Sequence, residues 1–257
     1  MKKVFIVIIT IFLFSCGLED FPVIDPLDLR TWNYKDISEA TIGLPSSTPT
    51  NGYDTYFDNF IIFYKIYVST EIIVGKIEQP AERSAINATL ASDYNSLNPY
   101  TDITSTSVST SNLETTFSNR GYYKLLLEGA NINSVLGSGS TGKTLLISFE
   151  QNNTVKPTLS LLDGTNVNGP YVLWRAVEGP GFSFDPKPDR YFQNHTDLHN
   201  TQYTNKENNA DLIGATGSRY AYVSMYIAAL GRSFDVPPSS IYSQPAFLGI
   251  FSLPEKY

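Results

Sequence analysis

The chain has 257 residues, with 18 basic against 25 acidic side chains and a formal net charge of −7. Beyond the first three residues it holds no Lys/Arg cluster, which excludes the basic face that nucleic acid or anionic lipid requires. Tyrosine (17) and phenylalanine (15) are abundant while charged residues make up only 17%, a composition suited to half-buried strands and not to a disordered chain.

The first element in chain order is a leader. Met1-Lys2-Lys3 precedes an apolar stretch at 4–14, which ends at Ser15-Cys16-Gly17 with Glu19 and Asp20 beyond. A bilayer span needs roughly 20 apolar residues, so this shorter stretch reads as an export signal that is cut away. A cut before Cys16 puts Leu13 at the third position upstream, where ordinary signal peptidase takes a small residue. Leu13-Phe14-Ser15-Cys16 instead resembles the lipobox of bacterial lipoproteins, in the relaxed form found in spirochaetes because Phe14 replaces a small or β-branched residue.

That resemblance implies a signal peptide at 1–15 and a diacylglycerol on the thiol of Cys16, the new first residue. Loss of Lys2 and Lys3 then takes the net charge from −7 to −9. Diacyl attachment exceeds the two-signal threshold for stable anchoring, so the expected membrane partner is reached through lipid. Gly17 is not the aspartate that retains enteric lipoproteins at the inner membrane, and by that analogy the outer membrane is expected. Cys16 is also the sole cysteine, so no disulfide is possible within one chain and a hydrophobic core must hold the fold.

Residues 16–30, with Pro22 and Pro26, read as a short tether, and 31–257 as one domain. A short apolar segment lies at 41–45. The run at 60–68, Phe-Ile-Ile-Phe-Tyr-Lys-Ile-Tyr-Val, has no polar alternation and predicts a central strand covered on both faces. Pro80 and the alanines that follow predict one inserted helix over 80–97. The Ser/Thr-rich stretch at 100–119 reads as an exposed loop, making 80–119 an insertion. Strands are predicted at 122–127, 144–149, 158–162 and 171–177, separated by breakers such as Asp163-Gly164 and Asn168-Gly169-Pro170. A polar insertion follows at 179–217, then strands at 220–230 and 246–253.

Regular strand spacing predicts a mainly β fold, an antiparallel sandwich or barrel. The order Tyr222-Val223-Ser224-Met225-Tyr226-Ile227-Ala228-Ala229-Leu230-Gly231, then Tyr242-Ser243-Gln244-Pro245-Ala246-Phe247-Leu248, resembles the last two strands of fibronectin type III modules. Residues 60–68 are similar to the third strand of that fold. The resemblance covers about a quarter of the chain and implies an immunoglobulin/fibronectin-like β-sandwich with long polar loops, an architecture that carries no particular function.

Four constellations carry possible chemistry. Gly137-Ser138-Gly139-Ser140-Thr141-Gly142-Lys143-Thr144 matches the phosphate-binding loop pattern, but a working loop leads into a helix, and 145–149 reads as a strand. A Gly/Ser hairpin is expected, with no nucleotide bound. His195 and His199, the only histidines, flank Asp197 at the spacing of two metal ligands on a helix, in a stretch without helical periodicity. With Asp185, Asp189 and Asp211 they read as solvated loop residues. Tyr53, Tyr56, Tyr100, Tyr191 and Tyr203 fall in loops, where tyrosine can stack on a sugar or anchor a protein interface. No nucleophile stands in a hydrolase context. The expected role is therefore a lipid-anchored, non-catalytic envelope binding module for a protein or glycan partner, without cofactor or catalytic residue. The rivals are an envelope hydrolase or metal enzyme using 179–217, and a structural scaffold of the outer membrane.

Overall fold

The computed structural model describes residues 23–24, 27, 29–36, 39–51, 55–69, 108–149, 156–175, 192, 220–233 and 240–253. The helix expected at 80–97, Cys16 and the leader, and His195, Asp197 and His199 lie outside the described residues.

Two antiparallel sheets face each other as a sandwich. The first contains β2 (Arg30–Asp36), β3 (Glu39–Gly43), β8 (Leu126–Leu127), β9 (Thr144–Ser148), β10 (Thr158–Asp163) and β11 (Asn166–Trp174), in the order β2-β3-β9-β10-β11-β8. The second contains β5 (Thr55–Ser69), β6 (Val108–Ser109), β7 (Tyr123–Lys124), β12 (Tyr220–Ser233) and β13 (Ser240–Tyr242), in the order β6-β13-β12-β5-β7. β14 (Ala246–Leu253) pairs with β12 farther along its length. A small pair, β1 (Val23–Ile24) with β4 (Thr50–Asn51), completes the strands among the described residues.

The long strands β5 and β12 run antiparallel for their whole length, from Tyr220 opposite Ser69 to Ser233 opposite Thr55. Their side chains alternate with the period of two that a pleated strand imposes. Phe60, Ile62, Tyr64 and Ile66 join Val223, Met225, Ile227 and Ala229 in the core between the sheets. Ile61 and Phe63 join Tyr222, Tyr226 and Ala228 on the opposite face, in a second core. Both faces are therefore buried, which explains why 60–68 shows no polar alternation. β12 is flanked by β5 and β14, each antiparallel to it.

The second core has a cover that was expected to be loop. Residues 110–119 form helix α1 (Thr110–Asn119), which sets Leu113 and Phe117 onto the outer face of β5 and β12. The Ser/Thr content hid it, because only this one i,i+4 apolar pair faces the sheet. Its end carries the clearer signal. Tyr122 N donates to Phe117 O and Gly121 N to Ser118 O, a Schellman cap with Gly121 in the left-handed region at φ 75°. The Tyr122 ring then packs edge-on against Phe117, 5.3 Å between centroids.

The predicted strand at 122–127 is two short strands serving different sheets. β7 pairs with β5 and β8 with β11, while Leu125 between them is buried and donates its N–H to Ile62 O. The segment thus closes one side of the sandwich. Asn168-Gly169-Pro170, read as a breaker, lies inside β11. Leu159 pairs with Tyr171 and Leu161 with Asn168, leaving Ser160 opposite both Gly169 and Pro170, so the proline that cannot donate sits in a bulge. The turn itself is at Gly164-Thr165, and β11 begins at Asn166.

Candidate functional site

Strand direction gathers several loops at one end of the sandwich. β3 ends there and β9 begins there, with Gly43 opposite Thr144, and Leu162 of β10 pairs with the same Thr144. β5 begins and β12 ends at this end too, where Arg232 faces Tyr56. Segments 44–49, 136–143 and 163–170 consequently share one loop end. Leu44 N donates to Lys143 O, Gly142 N to Pro45 O, and Phe60 N to Leu136 O, which ties two of these segments to each other and to β5.

The phosphate-loop match lies within this loop end, and its backbone answers the chemical question. Ser138–Ser140 is a single 3-10 turn and Thr144 opens β9, so no helix N-terminus follows. A phosphate cradle needs outward-pointing amides. Here Ser140 N bonds Gly137 O, Thr141 N bonds Ser138 O, Gly142 N bonds Pro45 O and Lys143 N bonds Ser140 O. Four amides in a row are used by the fold, and the segment works as a loop staple to Pro45. It enters β9 from a 3-10 turn and not from a strand paired with β9, so the expected Gly/Ser hairpin does not form. Asp163 stands exposed at the tip of the β10–β11 hairpin.

β1 is seated at the same end. A Cβ on Gly231 would collide with the Tyr56 carbonyl oxygen and lie 2.6 Å from Ile24 Cδ1, so only glycine lets β1 pack this closely over β5 and β12. Beside it, the register shift between Leu230 and Gly231 leaves Asp58 without an opposite residue in β12. Arg232 forks onto that carboxylate, Nε to Oδ2 at 2.8 Å and Nη2 to Oδ1 at 2.7 Å. The bond and charge of Asp58 raise the guanidinium above its ordinary value. Ser46, Ser47, Thr48, Ser138 and Gly139 are exposed, as is the whole hairpin 163–170. Among the described residues two large apolar side chains stand out in solvent, Tyr56 at 61% and Val167 at 59%, and both belong to this end. Of the tyrosines that the sequence placed in loops, Tyr56 is the one within the described residues, and it stands in β5, paired with Arg232, and not in a loop.

A second polar group lies away from the loops, where α1 meets the sheet edge. Glu114 Oε1 accepts from Lys124 Nζ at 2.6 Å and from the Tyr242 hydroxyl. Burial alone would raise the Glu114 carboxyl, but the bonds from Lys124 and Tyr242 and the lysine charge outweigh it and lower it. Burial, and then the bond to Glu114, push the Tyr242 hydroxyl well above its ordinary value. A tyrosine that retains its proton and donates it to a carboxylate is a clamp, and this one joins α1, β7 and β13. The three residues are far apart in sequence, and no spacing could have foretold them.

The insertion at 179–217 enters the described structure at one point. Phe192 is buried between the sheets, its ring 4.9 Å from that of Tyr64 and 5.4 Å from that of Phe149. Among the described residues no group of three His, Cys, Asp or Glu side chains could hold a metal. Among them, too, no helix is long and apolar enough to cross a membrane. No family model, no curated protein and no solved structure matches the chain.

Proposed function

We propose that the chain is a lipid-anchored lipoprotein of the cell envelope, held in the outer membrane through Cys16, and that it works as a non-catalytic binding or interaction module. The observation that carries this reading is the placement of the sole cysteine. Cys16 closes an apolar leader with lipobox character and stands seven residues before Val23, the first paired residue among the described ones. A thiol so placed suits an anchor.

The test is detergent partition of the wild-type protein beside a Cys16→Ser form, followed by protease shaving of intact cells. Wild type enters the detergent phase and Cys16→Ser stays in the aqueous phase. Equal partition of the two sinks the lipoprotein reading. Loss of the wild-type band from intact cells makes an extracellular protein or glycan the partner to seek, and protection makes it a periplasmic one.

A further inference from the structure

The structure assigns the loop end of the sandwich, carrying Tyr56 and Val167, as the face that rests on the lipid headgroup layer. This inference rests on lipidation at Cys16.

Chain length sets the first constraint. Between Cys16 and Val23 there are seven residue steps, which reach at most about 25 Å even when fully extended. Val23 and Ile24 are paired with Asn51 and Thr50 beside the start of β5, and Ile24 packs where Gly231 passes Tyr56. The far end of β5, at Ser69, lies thirteen residues beyond Tyr56, about 43 Å along the strand. A lipid on Cys16 therefore reaches the loop end and falls well short of the other.

Surface chemistry gives the second, independent constraint. Among the residues whose side chains the structure describes, the two large apolar ones that are exposed both lie at the end where the tether enters, one on each sheet. Tyrosine is enriched at membrane interfaces because its ring sits among acyl chains while its hydroxyl stays at headgroup depth. Among the described residues around it the exposed loop positions are mainly Ser, Thr, Asn and Gly, the Arg232 charge is matched by Asp58, and the half-buried Lys143 and the one carboxylate of the hairpin 163–170 are of opposite sign. An acidic protein would be repelled by anionic lipid over most of its surface, whereas this end approaches a headgroup layer at little electrostatic cost. Neither Tyr56 nor Val167 alone would hold a protein on a bilayer. With two acyl chains already inserted they need only set its orientation.

Lipidation blocks the only native thiol, so an introduced cysteine can be labelled selectively in the mature lipoprotein. Ser47→Cys places a fluorophore on the loop end and Ser252→Cys, level with Tyr222 and Tyr67, places one toward the other. Each labelled protein is reconstituted into phosphatidylethanolamine/phosphatidylglycerol vesicles that carry a headgroup acceptor dye, and energy transfer is read after flotation. Transfer several-fold stronger from position 47 than from 252 is expected, and Tyr56→Asn with Val167→Asn should narrow that difference. Co-flotation with equal or reversed transfer overturns the orientation while leaving the anchor intact. Transfer unchanged by the double substitution removes Tyr56 and Val167 from the contact. Failure of the processed protein to float with vesicles overturns the anchor, and the orientation falls with it.

Discussion

The two faces of the β5–β12 ribbon bury similar strand surface in different ways. Toward the other sheet the core is mainly aliphatic, with Ile42, Leu145, Ile147, Leu159, Leu161 and Leu173 from the first sheet meeting Ile62, Ile66, Val223 and Ile227. Under α1 it is mainly aromatic, with Phe63, Phe117, Tyr122, Tyr222, Tyr226, Tyr242 and Phe247. Phe63 and Phe117 stack at 4.3 Å, and Tyr226 meets the edges of Phe117 and Tyr122 at 5.5 Å. A whole sheet presents many alternate side chains and can fill its core with branched aliphatics. A ten-residue helix presents two, so large rings must span the rest. Rings also bring hydroxyls that need partners, and Tyr122 bonds Ser224 Oγ at 3.2 Å while Tyr242 bonds Glu114.

If the inner core carries global stability, Phe60→Ala should cost about 3–5 kcal/mol in equilibrium denaturant unfolding, the range for deleting a fully buried ring. Phe117→Ala should fall near about 3 kcal/mol, because α1 can re-seat over the gap where a sheet cannot. The sharper readout is hydrogen exchange. α1 amides should lose protection while those at the centre of β5 keep theirs, and equal loss in both would mean that the two cores unfold as one unit.

Tyr242→Phe keeps the ring and removes its hydrogen bond to a charged acceptor, for about 1.5–3 kcal/mol. It should also change the alkaline limb of the stability profile. The hydroxyl is raised in the folded state, so its contribution is complete below the unfolded value of 10.0 and declines as pH rises above it. Wild type should lose stability there, and the variant should lose less. Glu114 behaves in the opposite sense. Its folded value lies below the ordinary 4.5, so its contribution is present above that pH and declines as pH falls through the folded value. Glu114→Gln should be mildly destabilised at neutral pH and converge on wild type in acid, and a constant difference at all pH values would remove the charge from the clamp. The smallest effect belongs to Arg232→Ala, whose exposed ion pair should leave the thermal midpoint unchanged within error.

What was legible in the sequence followed local rules. The unbroken apolar run at 60–68 announced a strand with two buried faces, 246–253 was bounded by its breakers, and Lys143-Thr144-Leu145 was separable from a phosphate loop by the short strand that follows. The failures were cases where tertiary contact overrode composition. Thr110–Asn119 is helical because two of its residues meet an aromatic sheet face, although its Ser/Thr content favours a loop. Asn168-Gly169-Pro170 continues a strand because a bulge absorbs the residue that cannot pair. The segment expected as tether over 16–30 already holds β1, since Ile24 has a buried seat beside Gly231. The loop end was readable only in part. Its turn residues were visible, but their gathering at one end was not.

The sequence by itself located the strands at 60–68, 144–149, 158–162, 220–230 and 246–253, because an apolar run rich in β-branched and aromatic residues between turn residues marks a buried strand. It also determined that the cores must do without disulfides, since there is one cysteine. Only the tertiary structure decided that β5 pairs with β12, that 123–127 divides between two sheets, and that Glu114, Lys124 and Tyr242 meet. It alone placed Tyr56 and Val167 at the same end as β1. Such contacts join residues far apart in the chain, where no periodicity operates, and they are selected by the complementarity of whole faces after the local elements exist.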